Sequence, residues 1–196
     1  MSEEPKKSQP QDLGAQALEI ARRRQDAASQ VLALIHKHFE SNGASPETVL
    51  FAAAWLAGTS LYRSLGIGAE LEPGVVVLSE KANEEGPTLL AMFAYLLPRF
   101  GIKFNMAEAV FDVPQEHESQ VDLLTIQQAL QAPYNEIMRS HGFDYAEGAR
   151  TGAVVCALLV KAYCGRTQQL DPRLAAGIVS MGFIEGSKTA PAPLAS

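Results

Sequence analysis

Asp144 and Glu147 stand three residues apart, directly before an apolar run, and Arg150 follows three positions later. Carboxylates at that spacing share one face of a helix, where they can bind a metal ion or divide acid and base roles. The same spacing is that of an N-cap and its third-position partner, and the apolar run behind the pair favours capping. Arg150 is expected to pair with Glu147. Glu84 and Glu85 lie beside Gly86-Pro87. Adjacent carboxylates can hold a hard cation such as Mg²⁺ or Mn²⁺, which takes oxygen ligands. They can equally favour the N-terminus of a helix opening at Pro87.

Other donors are weaker candidates. Asp112, Glu116, His117, Glu118 and Asp122 lack the regular alternation of a calcium loop. His36 and Glu40 are one helical turn apart, an isolated pair. His141 precedes Gly142 and suits a cation at a helix C-terminus. There is no Gly-x-Ser-x-Gly, no Walker A motif and no Gly-x-Gly-x-x-Gly. The Glu-x-x-Glu and Glu-x-x-Asp pairs of all-α nucleotide pyrophosphohydrolases are also missing, which weakens a metal-dependent hydrolase built on Glu84, Glu85, Asp144 and Glu147.

The two cysteines, Cys156 and Cys164, fall in one apolar helical stretch. Eight residues along a helix separate them by about 12 Å, too far for a disulfide. Burial would raise the Cys156 thiol pKa, the opposite of an activated nucleophile. Two reduced thiols fit a reducing compartment, so a cytoplasmic location is expected. Trp55, Tyr62, Phe93 and Tyr134 are candidate lining for an apolar pocket between helices, although aromatic residues at helical spacing ordinarily form core.

The elements that must position these groups are helical. An apolar spacing of three and four runs from Asp12 to Ser41 and stops at Asn42-Gly43. Ser45-Pro46-Glu47 is a helix start, and the helix it opens, about 46–65, has hardly any polar side. A helix apolar all round is buried on all sides. Val75-Val76-Val77-Leu78 is β-branched and predicts a short β excursion near 74–78. Asn83 to Gly86 suggests a loop, followed by a helix from Pro87 to the Pro98–Gly101 stop. Residues 102–118 carry no clear period.

Ser119 to Asp122 has capping-box form, and Pro133 should kink or restart the helix that follows. Asp144 caps a helix to Gly165 whose centre, Gly152 to Val160, is again apolar all round. Asp171-Pro172 opens the last helix, ending near Gly186. Small residues recur four apart in Ala53/Ala57, Gly152/Cys156, Ala176/Ser180 and Gly182/Gly186. That pattern lets helices approach closely, and with two helices lacking a polar side it suggests burial of apolar surface between chains.

The chain has 196 residues, 47% apolar and 19% charged, with 16 Lys and Arg against 22 Asp and Glu for a net charge of −6. Intrinsic disorder and disulfide scaffolds are excluded. Residues 66–122 hold three basic and ten acidic residues, so the acidity is local. An acidic balance argues against nucleic-acid binding. The longest apolar stretches fall short of a membrane span, and the first ten residues lack the apolar core of a signal peptide.

The expected fold is therefore all-α: one compact bundle of six or seven helices over 11–186, two apolar helices at its centre, and disordered tails at 1–10 and 187–196. The expected function is a non-catalytic, self-associating interaction or regulatory module. The alternatives are the metal-dependent hydrolase and a small-molecule sensor with an inter-helix pocket.

Overall fold

The long helices after the first each begin where a side chain satisfies an unpaired amide. In the computed structural model, which describes residues 10–40, 43–67, 71–117, 119 and 122–194, the helices are α1 (Pro10–Glu40), α2 (Pro46–Ser64), α3 (Glu80–Leu96), α4 (Leu123–Ser140), α5 (Tyr145–Val160) and α6 (Pro172–Lys188). Ser45, Ser79, Asp122, Asp144 and Asp171 cap α2 to α6 through hydrogen bonds from Thr48, Ala82, Thr125, Glu147 and Arg173 amides. The architecture is all-α, and the described residues contain no β-sheet.

Helix α2 lies at the centre, as its composition demands, with every residue from Thr48 to Tyr62 buried. Its most extensive neighbour is α6, followed by α5. Glycine makes both approaches possible. A Cβ on Gly58 would lie 2.6 Å from the Phe183 carbonyl oxygen, and one on Gly182 2.7 Å from Ala54 Cβ. Gly152 of α5 meets Ala57 in the same way. The small-residue spacing thus marks close packing between helices of this chain. The buried faces of α2 and α5 are covered by their own chain.

Several boundaries differ from expectation. Helix α3 starts at Glu80, seven residues before the expected start at Pro87, because Ser79 supplies a cap. Residues 83–86 are therefore helical, and Pro87 sits inside α3 on the exposed side of the bundle. Helix α4 starts at Leu123 with Asp122 itself as the cap, and it continues through Pro133 without restarting. Helix α5 passes into a π-helical turn, Lys161–Arg166. The stripe read along α1 is buried only from Ala27 onward (Ala27, Ala28, Val31, Ile35, Phe39), and Leu18 and Ile20 are exposed.

The C-terminal residues depart furthest from the tail reading. Helix α6 runs to Lys188, and Thr189 forms an antiparallel bridge with Val76, which is all that appears of the β excursion near 74–78. Ala190 is buried. The Ala192 carbonyl accepts from Arg63 Nη2 at 2.6 Å, and the Ala192 amide donates to Gln127 Oε1 at 3.0 Å. Residues 189–194 are a strap across α2 and α4. Residues 195–196, and 1–9 of the other expected tail, lie outside the described residues. Residues 102–117 carry two 3₁₀ turns, Met106–Glu108 and Gln115–His117, and the Val110 amide donates to the Arg173 carbonyl at the start of α6.

Candidate functional site

The carboxylate pair Asp144 and Glu147 is occupied by structural work. Asp144 Oδ1 accepts from the Glu147 amide at 2.8 Å. Glu147 Oε1 binds Arg150 Nη1, as the spacing predicted, and Oε2 binds Arg24 Nη2 of α1, each at 2.5 Å. Burial pushes the Glu147 carboxyl up, but the hydrogen bonds and charges of Arg24 and Arg150 prevail and hold it below its ordinary value. A carboxylate flanked by two guanidiniums has little capacity left for a cation.

Glu84 and Glu85 are exposed on α3, since the segment expected to be a loop is a helix. Glu85 borders an open cleft of about 240 Å³ that also touches Arg150. Among the described residues, no group of three or more His, Cys, Asp or Glu is gathered as a metal ion requires. Mg²⁺ or Mn²⁺ therefore has no assembled site among them. His117 leaves its acidic stretch to bond Glu47 at the N-terminus of α2, Nδ1 to Oε1 at 2.9 Å. Glu118 lies outside the described residues.

The four aromatic candidates occupy separate places. Phe93 is buried edge-on against Phe183, with ring centroids 6.0 Å apart. Trp55 is buried against α6 at Gly186. Tyr134 is buried with its hydroxyl donating to the Gly148 carbonyl at 2.6 Å, and burial raises its pKa well above that of a free phenol. Tyr62 borders a cleft with Arg63, Tyr145, Pro191 and Pro193, and its hydroxyl is buried without a partner.

The polar groups that sequence reasoning missed lie on α4. Gln127, Gln131 and Asn135 recur four apart and are 2%, 2% and 5% exposed. Gln131 Nε2 donates to Asn135 Oδ1 at 2.9 Å, while Gln131 Oε1 and Asn135 Nδ2 are buried with no partner. Such groups are costly to bury unpaired. The signal was readable: each amide directly follows a core residue (Ile126, Leu130, Tyr134), so the buried stripe of α4 is too wide to be wholly apolar. Asn135 borders a cleft of about 230 Å³ between α2, α4 and the start of α5.

The fold places the chain in the class of all-α helical proteins, and no described helix is long and apolar enough to cross a membrane. No protein-family model, curated protein or solved structure matches the chain.

Proposed function

We propose that this protein is a non-catalytic helical interaction module that self-associates through the segment Val75–Leu78 and the adjoining ends of α3 and α6. The observation that carries this reading is the free edge at Val76. The Val77 amide and the Val75 carbonyl are spent on Lys188 and Ala190. By the alternation of an antiparallel ladder, the peptide groups of Val76 point the other way. The outer side is apolar: Val76 is 67% exposed and Leu78 90%. Ile184, also exposed, lines an apolar groove between α3 and α6 that continues from this edge.

An exposed, β-branched edge is a template for another strand. A second copy supplies an identical one, and antiparallel pairing of 75–78 with itself about a two-fold axis satisfies both chains equally. A cytoplasmic setting, in which Cys156 and Cys164 stay reduced, is part of the same reading.

The test is the molar mass in solution by sedimentation equilibrium. The expected result is a dimer that Val76→Lys together with Leu78→Glu converts to a folded monomer, since both side chains are exposed. A single-chain mass for the unsubstituted protein at about 100 µM, well above the micromolar range of weak specific association, would overturn the proposal.

A further inference from the structure

The cleft beside Asn135 has three properties that occur together nowhere in the chemistry above. Its lining includes a buried amide with an unused donor, Asn135 Nδ2. Behind it on α4 and outside the lining, Gln131 Nε2 donates to Asn135 Oδ1, which fixes the Asn135 amide and leaves Nδ2 as its free end. Its walls are apolar, from Met138, Phe143 and Tyr145, while Asp144 and Arg139 place opposite charges at the mouth. Ser60, on the α2 side, already donates to the Leu56 carbonyl, so it offers oxygen lone pairs only.

We infer that this cleft is a binding site for a small aromatic carboxamide, a ring joined to a C=O and N–H edge. The carbonyl of such a ligand accepts from Asn135 Nδ2, its N–H donates to the Ser60 oxygen, and its ring lies against Met138, Phe143 and Tyr145. Size agrees: an apolar cavity of roughly 150 Å³ admits benzene, and this cleft offers about 230 Å³. Arg139 is paired with Glu136 and Asp144 caps α5, so both charges are engaged and the cleft favours a neutral ligand. The unpaired Asn135 donor supplies the preference for a ligand edge over a plain hydrocarbon, because a ligand lacking that edge leaves it unpaired.

Benzamide and toluene are the probes, titrated into the isotope-labelled full chain while the side-chain amide resonances of Asn135 and Gln131 are followed by NMR. Benzamide is expected to shift both saturably, and toluene to bind at least about tenfold more weakly. Asn135→Leu is expected to weaken benzamide at least about tenfold. No shift at about 10 mM benzamide, above the range in which weak specific complexes saturate, would overturn the inference. So would equal affinity for toluene, or shifts confined to residues outside the cleft. Should Asn135→Leu fail to fold, the titration of the unsubstituted chain decides alone. Neither result depends on the association of Val75–Leu78.

Discussion

Arg24, midway along α1, closes on Glu147 in the first turn of α5, 123 positions away in sequence, and both side chains are only about one-fifth exposed (21% and 22%). The contact ties the outer helix α1 to the central helix α5 at the point where Asp144 caps it. It uses a carboxylate that by spacing alone resembled a metal ligand.

The pH dependence of this contact follows from its sign. The two arginines hold the Glu147 carboxyl below its ordinary value of 4.5. A group whose pKa is depressed by folding stabilises the protein above its unfolded pKa, and that stability is lost as pH falls through the folded value. Glu147→Gln is therefore expected to cost about 1–2 kcal/mol at pH 7 and markedly less at pH 3. Thermal melts of both proteins at the two pH values measure this. An equal loss at both would assign the effect to packing.

Gly58 and Gly14 should respond in opposite directions to the same substitution. A methyl at Gly58 meets the Phe183 carbonyl oxygen at 2.6 Å and the Ser187 amide nitrogen at 2.9 Å, backbone atoms that cannot swing aside. Gly58→Ala should force α2 and α6 apart and cost about 2 kcal/mol or more. Gly14, exposed in α1, has nothing within 4 Å. There, Gly14→Ala should stabilise by up to about 1 kcal/mol through helix propensity. Denaturant midpoints for the two variants decide it, and a loss at Gly14 or tolerance at Gly58 would contradict the packing described.

How much of this was legible in the sequence depends on how local its cause was. The central burial of α2 follows from its lack of a polar side, and the cap at Asp144 from a three-residue spacing, so both were readable. The start of α3 was misplaced because Pro87 is a strong signal and Ser79 a weaker one. Yet a helix can carry an interior proline at the loss of one backbone hydrogen bond, here on the exposed side of α3, and Ser79 already supplied the cap. The strap at 189–194 was unreadable, since Pro191 and Pro193 look like a tail until Arg63 and Gln127 are brought to Ala192 from distant helices. The candidate cleft was hidden for the same reason. The row of amides on α4 was readable, but the cleft beside Asn135 exists only once α2 and the start of α5 are brought to it.

The strap gives a third expectation. Ala192 offers its amide to Gln127 Oε1 and its carbonyl to Arg63, whose guanidinium is half-buried and shifted downward by that burial. Ala192→Pro deletes the amide donor and leaves the carbonyl. Gln127 is 2% exposed and its Nε2 already lacks a partner, so its side chain would then have no hydrogen bond in the fold. The cost should be about 1–3 kcal/mol, with faster hydrogen exchange at Thr189 and Ala190. Unchanged exchange would show that the strap is held by the Val76 bridge and the Arg63 contact alone.

Thiol chemistry separates the two cysteines. Cys156 is fully buried, and that burial drives its pKa far above the ordinary value. Cys164, in the π-helical turn, is partly exposed, and its pKa is pushed up to about 12 by burial first and by the Asp171 carboxylate second. The thiolate is the reactive form, so at pH 8 neither should react with iodoacetamide at the rate of a free thiol. Cys164 should be modified first, because it can meet reagent without unfolding of the core, whereas Cys156 must wait for α5 to leave α2. Mass spectrometry of a labelling time course reads the order directly. Urea should accelerate Cys156 far more than Cys164, and the reverse ranking would place Cys156 outside the core.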